Sequence, residues 1–208
     1  MKKPVIFLDF DGLQFNTLIA NIVYINDKYN IRTLPTDYMK GLSLESIIKN
    51  HVSLEKKSLI TYENVYEDLG ENFLNSIEWH EMIPPLENMV EVVNDLSKKY
   101  DLWTVTARQM SSIKTVKHLS DKHIPGCIRG FHFVWKHLGN GSFSSITKKD
   151  FIQSFDGERV AFIDDSIHEI KALDNVVPSY FFDKHESNEH HPNHYKFKDW
   201  EEIGKKFL

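Results

Sequence analysis

One cysteine is all that the chain contains. Cys127 has no partner within the 208 residues, which excludes an intramolecular disulfide and fits a reducing compartment. No apolar run reaches the ~18–20 residues of a membrane span. Basic residues are not in excess. Lys and Arg number 25 against 30 Asp and Glu, and the net charge of −5 argues against a broad basic face for nucleic acid. There are no internal repeats. Met1-Lys2-Lys3-Pro4 leads straight into an apolar strand, so a cleaved signal peptide is not expected and a cytoplasmic protein is. The remaining composition, 41% hydrophobic and 26% charged, is that of a soluble globular chain. Its length holds one good core, or a core and a small accessory domain.

What the chain does have is two apolar strands that run into acids. Val5-Ile6-Phe7-Leu8 is followed by Asp9-Phe10-Asp11-Gly12, and Val160-Ala161-Phe162-Ile163 by Asp164-Asp165. Uninterrupted apolar runs of this kind read as buried parallel strands, and open α/β sheets place ligands at the carboxyl ends of such strands. If the two strands are neighbours, four carboxylates converge. Two unit charges about 4 Å apart repel by about 4 kcal/mol at an effective dielectric near 20, so the group needs a cation, a shared proton, or both. No cysteine lies near either pair, and His168 follows the second by several residues. Oxygen donors alone favour a hard ion, with Mg²⁺ the first choice. The alternative is that these are turn or helix-cap aspartates.

Two further segments carry polar groups. Leu102-Trp103-Thr104-Val105 reads as a strand that ends in Thr106 and Arg108, which could hold a phosphate oxygen. Strand sterics explain Thr106 equally well, and Arg108 reads equally as a surface residue. Thr147 is a candidate cap for a helix that begins Lys148-Lys149. Adjacent helical residues point about 100° apart, so only one lysine can face a site. Lys148 is preferred; both being solvated is the alternative.

These residues, in this order, resemble the motifs of the haloacid dehalogenase-like (HAD) superfamily of phosphohydrolases. Asp9-Phe10-Asp11-Gly12, with Thr17 after it, matches the first motif and Thr106 the second. Lys148, or less well Lys149, matches the third, and Asp164-Asp165, with Ser166 and Glu169, the fourth. The first and fourth are specific; the second and third are informative in their company. Leu13-Gln14-Phe15-Asn16 departs from the usual Thr or Val, then Leu, then an acid. A narrower likeness, carried by Leu102–Arg108 and Asp199-Trp200-Glu201-Glu202-Ile203, is to the branch holding 5′-nucleotidases, including deoxyribonucleotidases.

The resemblance implies an Mg²⁺-dependent phosphatase acting on a small phosphorylated metabolite through an aspartyl-phosphate. Asp9 is the nucleophile and Asp11 the general acid and base. Thr106, Lys148 and Arg108 bind phosphate. The metal lies among Asp9, Asp11 (through its main-chain carbonyl), Asp164 and Asp165. No macromolecular nucleic acid or membrane partner is expected, and the protein is a monomer or homodimer. Phosphoryl transfer to a sugar, and a non-catalytic binding domain on the same fold, are the alternatives. Asp11 argues against dehalogenation, which protonates no alkoxide.

The fold expected is α/β: a Rossmann-like parallel sheet flanked by helices, with a small helical cap inserted after the first strand, as in the family it resembles; the alternative is that these helices belong to one α/β domain. The core is placed at 1–16 and 84–208 and the cap at 17–83. Thr17–Tyr29 reads as a helix, with Leu18, Ile22, Ile25 and Tyr29 at helical spacing. Helical runs continue from Ser43 to Asn75, with cap signals at Thr36-Asp37 and Ser43. Leu86–Lys99 reads as an amphipathic helix with Leu86, Val90, Val93 and Leu96 inward. Ile128–Trp135 is a candidate strand, Gly139-Asn140-Gly141 a hairpin turn, and Tyr180-Phe181-Phe182 the last core strand. Tyr62, Tyr66, Phe73 and Trp79 are cap aromatics that could stack on a base or fill a core. His185, His190, His191 and His194 crowd a polar loop in no structural zinc spacing.

Overall fold

The computed structural model describes residues 2–30, 60–137, 143–183 and 195–208. The chain divides into two compact units, Met1–Asn16 with Pro85–Leu208, and Thr17–Pro84. The Gly139-Asn140-Gly141 turn, the histidine-rich loop, the cap signals at Thr36-Asp37 and Ser43 and the first part of the Ser43–Asn75 run lie outside the described residues, as does the side chain of Tyr62.

The larger unit is built on a seven-stranded sheet: β1 (Val5–Leu8), β2 (Asp101–Gln109), β3 (Ile128–His137), β4 (Phe143–Ser145), β5 (Arg159–Asp164), β6 (Ser179–Phe182) and β7 (Tyr195–Phe197). Spatial order is β4-β3-β2-β1-β5-β6-β7. Only β4 runs antiparallel; the other six strands are parallel. β1 is central, and all four of its residues are buried. Burial on both faces is why its sequence shows no polar alternation. In register, Leu8 pairs with Ile163 on one side and Thr104 on the other. The ends of β1 and β5 therefore lie level.

Helices cover the sheet. One face packs Val5, Phe7, Val105, Phe162 and Phe181 against Ile152 of α6 (Lys148–Ser154) and Ile167 and Ile170 of α7 (Ile167–Ala172). Elsewhere α4 (Met89–Lys99) packs on α8 (Trp200–Phe207), where a side chain at Gly204 would sit 3.4 Å from Val92. α5 (Ile113–His123) joins β2 to β3. No helix among the described residues is long and apolar enough to cross a membrane.

Three expectations are corrected. The helix read from Leu86 starts at Met89, because Asn88 adopts a left-handed φ of 61°. Its buried positions are Met89, Val92, Val93 and Leu96, with Val92 in place of Val90; Leu86 is buried ahead of the helix. The strand read as Ile128–Trp135 runs on to His137, where β4 pairs with it. β6 is not the last strand. β7 adds beyond it, and three residues are too few to show a period; Phe197 joins the core by stacking on Tyr180 at 5.1 Å.

The smaller unit contains α1 (Thr17–Tyr29), α2 (Tyr62–Asp68), a π-helical turn (Leu69–Phe73) and α3 (Ile77–Glu81). Thr61 and Ser76 cap α2 and α3 by accepting from the backbone N–H groups of Asn64 and Trp79. Such caps contribute about 1 kcal/mol each. Tyr24 packs against Phe73 and meets Trp79 edge-on. Phe73 is thus core and Trp79 supports it, whereas Tyr66 is exposed. Beneath them Asp68 accepts hydrogen bonds from Tyr24 and Tyr29, each at 2.8 Å, from Asn72 at 2.5 Å, and from Lys28. Burial raises the Asp68 carboxyl, but these donors outweigh it and hold the group below the usual carboxylate range.

Candidate active site

Sheet register brings the two acidic pairs together. Asp9 continues β1, and its N–H donates to Ile163 O of β5 at 2.9 Å. Asp9 is thereby level with Asp164, and both are buried. Carboxylate oxygens of Asp9, Asp164 and Asp165 all lie within 4.8 Å of one another.

Gly12 turns the chain away from this cluster. Its φ of +77° is a left-handed conformation that glycine adopts freely. A Cβ there would lie 1.9 Å from Asp165 Oδ2, so the absence of a side chain also makes room for that carboxylate. The loop closes through Gly12 N to Phe15 O at 3.0 Å and Gln14 N to Phe10 O at 3.2 Å. Trp200, fully buried in α8, donates from Nε1 to Leu13 O at 2.7 Å.

Lys148 is the lysine that reaches the cluster. It opens α6, where Thr147 Oγ1 caps by accepting from Asp150 N at 3.0 Å. Its Nζ donates to Asp9 Oδ1 and Asp164 Oδ2, each at 2.6 Å. Lys149 is exposed. Burial lowers the Lys148 pKa, but the charges of Asp164 and Asp9 more than offset that, and the ammonium is held above its ordinary range. Asp164 Oδ1 accepts from Ser166 N at 2.7 Å, so both of its oxygens are engaged.

Asp11 is held differently. Its carboxylate takes the Arg108 fork, Nε to Oδ2 at 2.9 Å and Nη2 to Oδ1 at 2.7 Å. The guanidinium lies 4.8 Å from the Phe10 ring centroid, and its side chain is only 2% exposed. A bidentate pair of this kind is strong and directional. Asp11 is thus held by Arg108 and is not one of the three carboxylates that lie within 4.8 Å of one another. Thr106, fully buried near the end of β2, accepts from Arg108 N at 3.2 Å.

With all four carboxyls ionised, the charges among the described residues do not balance without a further cation. Asp9, Asp11, Asp164 and Asp165 face Lys148 and Arg108, which leaves two negative charges. Two of the carboxyls respond. Burial, together with Asp164, Asp165 and Asp11, and against the opposing pull of Lys148, holds Asp9 well above the usual carboxylate range. Asp165 is open on its outer side, yet desolvation of its carboxyl and the charges of Asp164 and Asp11 push it up to about 7. The donor set is oxygen only. It fits a hard divalent ion, whose charge equals the deficit.

One buried group has no counterpart in the sequence reading of the site. Gln14 is fully buried, and its Nε2 donates to Asp9 O at 2.7 Å and Thr104 Oγ1 at 3.1 Å. Its Oε1 has no partner among the described residues. A polar residue between the apolar Leu13 and Phe15 is the signal that could have marked it.

No family model matches the sequence, and no curated protein matches it. Solved structures do. A candidate phosphatase from Clostridium difficile has a TM-score of 0.66 at 17% identity, covering 100% of both chains. A HAD-superfamily hydrolase of subfamily IA from Geobacter sulfurreducens has a TM-score of 0.64 at 14% identity, covering 99% of this chain and 97% of that one. A candidate HAD-hydrolase from Bacillus subtilis, solved bound to magnesium, has a TM-score of 0.64 at 13% identity, covering 100% of this chain and 99% of that one. The chain shares the fold of these proteins: a Rossmann-like sheet of six parallel strands, flanked by helices. At these identities the likeness is one of fold.

Proposed function

We propose that the protein is a HAD-like phosphatase that hydrolyses a small phosphomonoester through an aspartyl-phosphate on Asp9. The observation that carries this reading is the Asp9 carboxylate, set at the end of the central strand against Lys148 and within 4.8 Å of Asp164 and Asp165. The fold shared with hydrolases supports it. The smaller unit, Thr17–Pro84, is the proposed cap that selects the substrate.

In the first step an Asp9 oxygen forms a bond to phosphorus as the ester P–O bond breaks. Asp11 gives the departing alkoxide a proton. In the second step water attacks phosphorus, Asp11 takes its proton, and Asp9 leaves as a carboxylate with inorganic phosphate released. Asp11 reaches these positions only when the Arg108 fork opens, and a phosphoryl group that draws Arg108 towards itself would open it. Lys148 balances charge on the transferring group, and the Thr106 hydroxyl donates a hydrogen bond to it. Asp9, Asp164 and Asp165 would hold Mg²⁺, which would supply positive charge to offset that of an anionic substrate.

Among the structural neighbours, three are named as candidate phosphoglycolate phosphatases. That name belongs to those proteins; here it supports a small phosphomonoester as the class. The nucleotidase reading draws no support from Phe73, which is core, or from Trp79, which packs on Tyr24. Turnover of an aryl phosphate with Mg²⁺ tests the proposal. Asp9→Asn is expected to abolish it by at least about a thousandfold. Full activity in that variant, or none in the wild type across a panel of phosphomonoesters, would overturn the reading.

A further inference from the structure

We propose that Gln14 is a positioning residue: its carboxamide clamps the main-chain carbonyl of Asp9 and so fixes the stance of the attacking carboxylate. The inference rests on the reading of Asp9 as nucleophile.

The Asp9 carbonyl can only accept, so the amide nitrogen of Gln14 must face it, at 2.7 Å. The same nitrogen reaches Thr104 Oγ1 of β2 at 3.1 Å. That choice leaves Oε1 buried without a donor, which costs stability. A leucine, the residue the motif resemblance leads one to expect here, would remove the orphaned Oε1 but would strip the buried Asp9 carbonyl of this donor. Holding the loop does not explain the carboxamide. The loop is already tied by Gly12 N to Phe15 O, Gln14 N to Phe10 O, Phe15 N to Phe10 O and Leu86 N to Gln14 O, and by Trp200 Nε1 to Leu13 O.

What the carboxamide adds is a restraint on Asp9 itself. The N–H of Asp9 is bound to Ile163 O at 2.9 Å, and its C=O is bound to Gln14. With both peptide groups anchored, the Asp9 backbone cannot rock, and its side chain stays against Lys148. Reactions that depend on a near-attack geometry lose rate steeply when the reacting group is loosened.

The test compares Gln14→Leu with wild type on an aryl phosphate and Mg²⁺, together with thermal melts. The expected result is a kcat lower by about tenfold, a KM within about twofold, and a Tm close to wild type, since one buried acceptor without a donor is exchanged for another. Gln14→Met serves if the leucine variant does not fold. Thr104→Val, which keeps the Asp9 bond, is expected to keep kcat. The carbonyl-carbon NMR shift of Asp9 reads the hydrogen bond directly and should move in Gln14→Leu but not in Thr104→Val. An unchanged kcat in an active Gln14→Leu enzyme, or a loss of kcat that merely follows a lowered Tm, overturns the clamp alone. An inactive wild type overturns the nucleophile reading and the clamp with it.

Discussion

Replacing Lys148 with methionine deletes a charge and keeps most of the side chain's volume. The Lys148 side chain is 3% exposed, and the Asp9 and Asp164 side chains it bridges are 6% and 1% exposed. At 2.6 Å, each contact is worth about 6 kcal/mol by Coulomb's law at an effective dielectric of 20, before the cost of desolvating the ammonium. Measured losses on removing one member of a buried ion pair are smaller, about 3–5 kcal/mol, because they are dominated by the charges left behind. For a chain of this size that corresponds to a fall in Tm of about 6–20 °C. The deficit depends on pH, and its sign follows from the raised Asp9 carboxyl. A carboxyl whose folded pKa is raised favours the folded state below its unfolded value and opposes it as pH rises through the folded value. With Lys148 gone, the penalty is expected to be largest near pH 8 and to shrink towards about pH 5. Added Mg²⁺ at about 100 times its Kd should restore about 2.7 kcal/mol. Thermal melts followed by circular dichroism, at both pH values and with and without Mg²⁺, measure all of this. A Lys148→Met protein that melts with wild type at both would refute the electrostatic account of the site.

Two further perturbations probe other parts of the molecule. Gly12→Ala places a Cβ on the Asp165 carboxylate at a φ of +77°. About 1–2 kcal/mol of backbone strain is expected, and displacement of Asp165 should weaken Mg²⁺ binding by about tenfold or more in a calorimetric titration. Wild-type affinity would show that Asp165 is not needed for the ion. Asp68→Ala removes the acceptor shared by Tyr24, Tyr29, Asn72 and Lys28. Lys28 is 41% exposed and screened, so the loss is put at about 2 kcal/mol near neutral pH. The Asp68 carboxyl is lowered, so its contribution is present above the unfolded value near 3.8 and fades as pH falls through the folded value. An equal deficit at about pH 7 and about pH 3 would contradict that sign.

Some of this was written in the chain because the physics is local. An apolar run that ends in acids has few places to go other than a buried strand with its carboxylates at the strand end, and β1 and β5 are such runs. Thr147 caps α6 because a hydroxyl before Lys148 can reach the Asp150 N–H whatever surrounds it. Other features need partners that sequence order does not name. Lys148 and Lys149 differ only in which way the helix turns them, and the sheet beneath α6 chooses. Asp11 and Arg108 are 97 residues apart, and their pairing follows from the register of β1 with β2. Asn88 sets where α4 begins, and β7 is too short to declare itself. Gln14 looked like a break in a motif until the fold placed it beneath Asp9. Sequence alone determined the strand-borne acids and the fold class, because hydrophobic patterning and local capping act over a few residues. Tertiary structure alone decided which cation meets which carboxylate, because charges interact through space and only packing sets those distances.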